Sequence, residues 1–189
     1  GNDDLYGATV LGRDSKTNDL LSWSHAWALP IVLERRMEIA PRLLDFQKQG
    51  DLTIVSKIED ACADVVAIVK RADEAGLLGS LQEGKKRAIG VDAACIKQTL
   101  DALNAAGYPD SQIIAVSQGW RLTSAIKSTE LYLSSETLRH ADQPLMDWCV
   151  GNGRVEPKGN AVLITKQASG SAKIDPLMSL FTAVDVMAQ

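Results

Sequence analysis

The sequence predicts an α/β domain, a mixed sheet that begins with antiparallel hairpin strands, continues with parallel strands and is flanked by helices. Three observations predict it. Residues 5–12 and 20–29 are apolar runs joined by the turn-rich stretch 14–19, as an antiparallel hairpin requires. Short buried-type runs then alternate with helical patterns, as parallel strands linked by crossover helices do. The clearest is Ile89-Gly90-Val91-Asp92, which stops at a carboxylate and leads at once into a helical pattern at Ile96, Leu100 and Leu103. Buried strands deliver their last residue to the rim of a sheet, where open α/β sheets place their sites.

Composition narrows the function classes. At 189 residues the chain is long enough for one domain with a sizeable core. A 46% hydrophobic share beside 23% charged residues is that of a soluble globular protein. No apolar run approaches the roughly 18 residues of a membrane span, and no leader-like segment precedes the first motif, so no membrane role is expected. The formal charge of −4 gives no global attraction to nucleic acid, and DNA contact would need a local basic patch. Cys62, Cys95 and Cys149 are odd in number, far apart and without a CxxC pairing, and read as reduced core residues of a cytosolic protein. Neither G-x-x-x-x-G-K-[ST] nor G-x-G-x-x-G occurs, so no nucleotide cradle is expected.

Taken in order, Gly1-Asn2-Asp3-Asp4 is polar turn material, and a fold that opens on a turn implies a preceding strand outside these residues. Within 20–29, Trp23, His25 and Trp27 alternate onto one face. Pro30 suits the first turn of a helix, whose pattern runs to residue 40, restarts after Pro41 and ends at Gly50. Residues 52–55 form a short strand. Ile58, Cys62, Val65, Val69 and Ala72 mark an amphipathic helix closed near Gly76, and 79–86 reads as a charged loop before the basic start Lys86-Arg87 of the central strand. The following helix runs to about residue 106, closed by Gly107. Ile113-Ile114-Ala115-Val116 is another buried strand, and Leu122, Ala125, Ile126 and Leu133 pattern the next helix. A short helix over 144–150 carries Leu145, Met146 and Trp148. Residues 152–157 and 161–165 read as a β-ribbon turning at Lys158-Gly159-Asn160, and 167–172 as a small, flexible stretch. The last helix starts at Asp175-Pro176 and buries Leu177, Leu180, Phe181, Val184 and Met187. This order, an antiparallel meander and then parallel strands with crossover helices, is that of an RNase H-like domain.

Three acidic positions share a local grammar: Asp3 and Asp4 open a strand, Asp92 ends one, and Asp175 starts the final helix. Carboxylates converging from distant parts of a chain suit a hard divalent cation such as Mg²⁺, which takes oxygen ligands and bridges to phosphate oxygens. Two such ions about 3.5–4 Å apart can activate a water and stabilise the leaving oxygen of a phosphodiester. Each acid has a plainer reading too. Asp175 before Pro176 is a good helix N-cap, Asp92 suits a cap or a ligand equally, and Asp3 and Asp4 suit a solvated turn. Lys173, two residues before Asp175, is either a surface lysine or one that faces a phosphate across the acids. Arg121, Lys127, Arg154, Lys158 and Lys166 are candidates for a local DNA-binding patch, with Lys158 at the ribbon tip and Lys166 near the ribbon's end the best placed. Trp120 and Trp148 read as packing residues, since a duplex offers no free base faces, and His140 as a structural residue after a helix.

Five runs carry a more specific signal. Val116-Ser117-Gln118-Gly119-Trp120-Arg121-Leu122-Thr123, the stretch from His140-Ala141-Asp142-Gln143-Pro144 to Asp147-Trp148-Cys149-Val150-Gly151-Asn152, and Lys173-Ile174-Asp175-Pro176-Leu177-Met178 are the longest. With Asp4-Leu5 and Ile89-Gly90-Val91-Asp92 in matching order, the chain over essentially its whole length resembles the C-terminal nuclease domain of large terminase subunits of tailed bacteriophages. The resemblance implies an RNase H-like endonuclease that cuts concatemeric double-stranded viral DNA during genome packaging, using two Mg²⁺ or Mn²⁺ ions in the cytoplasm of the bacterial host. It implies a catalytic set of Asp92, Asp175, Asp4 and Lys173. The family's second acid falls on Asp92 and its third on Asp175, while Asp4 matches an auxiliary acid with Asp3 beside it. The first acid sits on an opening strand that lies outside these residues, as does the family's ATPase domain. Activity is therefore expected to depend on metal and not on ATP. Implied partners besides double-stranded DNA are the portal protein and the small terminase subunit. Two other readings remain: another RNase H-like phosphotransferase, such as a resolvase or transposase core, and a non-catalytic docking module for the portal or small subunit.

Overall fold

The computed structural model describes residues 4–78, 88–94, 96–166 and 171–189. Asp3, the charged loop with Lys86-Arg87, Cys95 and most of the 167–172 stretch lie outside the described residues. β1 (Tyr6–Arg13) and β2 (Leu20–Ala28) form the expected antiparallel hairpin, in register from Tyr6↔Trp27 to Arg13↔Leu20. Asp14 closes its turn by accepting hydrogen bonds from the Lys16 and Thr17 amides, both at 2.8 Å. Trp23 stacks on His25, and His25 meets Trp27 edge-on, which places the three on one face as their alternation predicts.

The second edge of β2 is shared by two short parallel strands. β3 (Leu52–Ile54) pairs at Ala26, Trp27 and Ala28, and β6 (Leu138–His140) at Leu20, Leu21 and Ser22. The sequence pattern contains no signal for β6, because Leu138-Arg139-His140 is too short to alternate. His140, expected after a helix, thus ends a strand and is exposed. β4 (Ile89–Asp92) and β5 (Ile113–Val116) make a separate parallel pair, ending together at Asp92↔Val116. β7 (Gly153–Lys158) and β8 (Ala161–Lys166) are the ribbon, turning at Gly159 and Asn160.

Among the described residues seven α-helices complete the layers: α1 (Pro30–Arg35), α2 (Ala40–Gln49), α3 (Ile58–Glu74), α4 (Ile96–Ala105), α5 (Thr123–Ser134), α6 (Pro144–Asn152) and α7 (Asp175–Met187). α1 stops at Arg35 rather than residue 40, because Arg36 leaves helical geometry at φ −122°, and α2 starts at Ala40 with Pro41 inside its first turn. α7 packs across β1, β2, β4 and β5 on one side. There Leu177, Leu180, Phe181 and Val184 join the main core with Val32, Leu43, Leu122 and Cys149. On the other side α3 and α4 cover Ile89, Val91 and Ile113, with Leu103 fully buried. Burying side chains of this kind contributes about 1.5–3 kcal/mol each. Cys62 and Cys149 are buried free thiols, as expected. Leu133 departs from the helical pattern read for it and is 47% exposed. On α7 it is Val186, rather than Met187, that is buried.

Candidate active site

The first turn of α7 is set against β1 by a glycine. A Cβ on Gly7 would lie 2.8 Å from the backbone carbonyl carbon of Asp175, so only a residue without a side chain lets the strand approach the helix there. Asp175 does not cap the helix, as the sequence alone suggested. Ile174 holds the cap position without a side-chain bond, and Asp175 is the first helical residue. Its carboxyl interacts with the Asp175 amide itself, which pulls its pKa down only weakly. Its Oδ2 is sealed from solvent with no hydrogen-bond partner. Burial pushes this carboxyl up to about 6. The charge of Lys166 pulls against the rise, that of Asp4 adds to it, and Lys173 pulls down more weakly.

Asp92, at the carboxyl end of β4, is exposed, and its Oδ1 accepts the Ala94 amide at 2.9 Å. That contact makes a local turn at the strand end. Asp92 and Asp175 line one cavity of about 720 Å³, together with Gln118 and Thr182. Gln118 was not singled out from the sequence. It donates to Thr182 Oγ1 at 3.3 Å, which ties the turn after β5 to α7. The only hint of it was its place in the Gln118-Gly119-Trp120 run.

Asp4 stands near enough to Asp175 for its charge to act on it, with lysines on it. Oδ1 of Asp4 accepts hydrogen bonds from Lys166 and Lys173, both at 2.8 Å. Burial would raise the Asp4 carboxyl, but the bonds and charges of Lys166 and Lys173 outweigh it and hold the group well below the usual carboxylate range. Lys173 is not the surface lysine that was one of its two readings: it is 1% exposed. Asn152 donates to its carbonyl oxygen at 3.0 Å and anchors that loop to the end of α6. Among the described residues, no group of three or more His, Cys, Asp or Glu side chains gathers as a ready-made metal cage. Asp3, the fourth expected ligand, lies outside the described residues.

The basic candidates divide. Lys158 and Arg154 on the ribbon, Arg121 on the turn Gly119–Leu122 and Lys127 on α5 are exposed. β8 packs on that turn and on α5, so the four belong to neighbouring elements. Lys166 is engaged with Asp4 and faces the acids rather than open solvent alone. Trp120 corrects its packing assignment: it is 57% exposed, with the Arg121 guanidinium carbon 5.1 Å from its ring centre. Trp148 packs against Phe46 as expected.

No protein-family model matches this chain, and no curated protein does. Among solved structures, the crystal structure of the HK97 bacteriophage large terminase superposes with a TM-score of 0.73, at 17% identity over 96% of this chain. The chain spans 36% of the length of that protein. The two share a fold: the mixed sheet flanked by helices expected from the sequence is a fold found in a phage large terminase.

Proposed function

We propose that this chain is the nuclease domain of a terminase large subunit, a metal-dependent endonuclease that cuts concatemeric double-stranded DNA during phage genome packaging. The observation that carries the reading is Asp175: a buried carboxylate with an unpartnered oxygen, held neutral-prone near pH 6, on the cavity that also carries Asp92. A buried acid in that condition is a functional-site candidate, since a purely structural carboxylate would have its oxygens bonded. Asp92 and Asp175 offer hard oxygen donors, the set that Mg²⁺ or Mn²⁺ takes, so the residues fit a divalent cation. When bound, such ions stabilise charge on phosphodiester oxygens and make a water more acidic. Asp92 and Asp175 would hold them. Asp4 keeps the ammonium groups of Lys166 and Lys173 beside the acids, where they offset the charge of an incoming phosphate. The exposed Arg121, Lys127, Arg154 and Lys158 would carry the DNA backbone.

The shared fold with the HK97 terminase supports the packaging context, in which the ATPase domain, portal protein and small terminase subunit are partners and the host cytoplasm is the compartment. No helix among the described residues is long and apolar enough to cross a membrane. One assay separates this reading from that of a non-catalytic docking module for the portal or small subunit. Plasmid nicking with Mn²⁺ is expected for the wild type and lost in Asp92→Asn and Asp175→Asn; nicking by none of the three favours the docking module, and equal nicking by all three removes Asp92 and Asp175 from the catalytic set.

A further inference from the structure

Trp120 is 57% exposed, although its large ring would gain by burial. The turn that carries it is not slack. The Thr123 hydroxyl donates to the Trp120 carbonyl at 2.6 Å and accepts the Val162 amide of β8 at 3.1 Å. Gln118, two residues before Trp120, is tied to Thr182 of α7, and Gly119 supplies the left-handed residue of the turn at φ 71°. The ring is thus held out from a turn fixed to β8 on one side and α7 on the other. Arg121 lies over it, with the guanidinium carbon 5.1 Å from the ring centre, a cation–π contact that occupies one face. A ring so exposed with that face taken keeps its opposite face for a ligand.

Charge gives the sign of that ligand. Residues 117–129 and 153–166, which hold the turn, the start of α5 and the ribbon, carry five cations against one acid, Glu156, in a chain of net charge −4. β8 packs on the turn and on α5, so these cations belong to neighbouring elements. Cations alone would serve the phosphates of a duplex. An aromatic face needs a flat partner with an open π-face, and bases within a duplex cover one another. Ring and cations together match an unpaired strand. Position gives the place on that strand. Trp120 follows Val116 by four residues, and Val116 pairs in register with Asp92. Four residues reach at most about 14 Å and paired strands lie about 5 Å apart, so the turn stands within about 19 Å of Asp92, backbone to backbone. That is roughly six nucleotides along a strand at about 3.4 Å each. We propose that Trp120, backed by Arg121, is a stacking platform for an unpaired base of DNA held at the Asp92–Asp175 site. The proposal rests on DNA as the substrate and adds that a strand is unpaired within a few nucleotides of the acids. A partner protein that buries the same Trp–Arg pair is the rival occupant, which the excess of cations disfavours.

Fluorescence anisotropy in EDTA tests this, because binding is then read without cleavage. The probes are a labelled single strand of about 12 thymidylates and a fully paired duplex of the same length. Wild type should bind the single strand. Trp120→Ala should weaken that binding by roughly 5- to 150-fold and change duplex binding by no more than about twofold. Lys158→Ala should weaken both probes alike. Trp120→Phe should recover most of the single-strand affinity, since a phenyl face still stacks. The single strand should also quench tryptophan emission in wild type, and Trp120→Phe should lose that quench while still binding. This second variant keeps the test decisive even if Trp120→Ala melts early. Absence of single-strand binding by wild type, equal loss on both probes, or an intact quench in Trp120→Phe overturns the proposal. Unchanged single-strand affinity in Trp120→Ala overturns it as well and leaves the Trp–Arg pair to a protein partner. The nuclease reading fails separately: a wild type that does not nick plasmid with Mn²⁺ would sink that reading while the anisotropy result stood.

Discussion

Lys173 and Asp4 form an unequal pair: the lysine side chain is 2% exposed and the aspartate 35%, with Nζ 2.8 Å from Oδ1. The second lysine on the same oxygen, Lys166, is 40% exposed. Desolvation makes these two contacts very different in energy although their lengths are equal. An exposed ion pair contributes about 0–1 kcal/mol, because water screens it and side-chain entropy opposes it. A buried ammonium has been stripped of water along with its aliphatic stem, so truncating it removes packing as well as charge.

The contrast is measurable. Lys166→Ala should cost no more than about 1 kcal/mol in urea unfolding at neutral pH. Lys173→Ala should cost on the order of 3 kcal/mol. The sign of the pH effect follows from Asp4, whose folded pKa lies below its ordinary 3.8. Its stabilisation is present above that value and is lost as pH falls through the folded pKa. Lys173→Ala should therefore flatten the stability loss below about pH 4. Equal costs for the two variants would contradict the burial argument.

Gly7 gives the second prediction. A methyl group there meets the backbone of Asp175 and Pro176 at 2.8–2.9 Å, whereas one on Gly90 meets the Val186 and Thr182 side chains at 2.5 and 3.2 Å. Side chains on a helix can turn aside; the backbone of a helix start cannot without moving the helix. Gly7→Ala should cost about 1–3 kcal/mol and also depress cleavage, since it displaces Asp175. Gly90→Ala should cost stability with less effect on cleavage per kcal/mol. Thermal melts beside the nicking assay check both, and a silent Gly7→Ala would show that α7 sits further from β1 than described.

Where chemistry is local, the sequence was a good guide. The β1–β2 hairpin followed from alternation about a turn, and β4, β5 and α7 from apolar runs with clear stops. β6 was not legible, because three residues carry no periodicity and only the edge of β2 makes them a strand. Asp92 and Asp175 were legible as strand-end and helix-start acids, and both reach one cavity. The burial of Lys173 was not, because its partner Asp4 is 169 residues away in sequence. Trp120 misled for a related reason: its apolar ring suggested packing, while its neighbours leave it outside with Arg121 against it.

DNA affinity is the third prediction. With a net charge of −4, the domain has only local cations to offer a polyanion. Binding should be weak and should fall steeply with salt. Each phosphate contact contributes a slope of roughly −0.9 in log K against log salt, so Lys158→Ala should reduce the slope by about that much, and Lys166→Ala by less, because Lys166 is held by Asp4. Fluorescence anisotropy on a duplex at several salt concentrations measures it. Tight binding that persists at high salt would place the affinity elsewhere.

The last prediction rests on Asp175. Its folded pKa is raised from 3.8 to about 6, chiefly by burial. Between those values the folded state holds a proton that the unfolded state has released. Stability is thus fully present below about pH 4 and is lost as pH rises through about 6, by about 3 kcal/mol if the shift is converted directly. Asp175→Asn removes the titration while keeping size and shape. In the absence of divalent ions the variant should be at least as stable as the wild type at pH 7, and its stability should be flat between pH 4 and 6. Because the wild-type carboxylate is a cation ligand in the proposed site, Mn²⁺ should raise the wild-type melting temperature in proportion to its occupancy and should raise that of Asp175→Asn far less. Cleavage should fall by roughly 100-fold or more, since charge at the reacting phosphate is then poorly stabilised. Calorimetry from pH 4 to 8 with and without Mn²⁺, beside the nicking assay, reads all of these together. A variant that shows the same pH dependence as wild type would remove the raised carboxyl, and one that nicks DNA at the wild-type rate would remove Asp175 from the catalytic set.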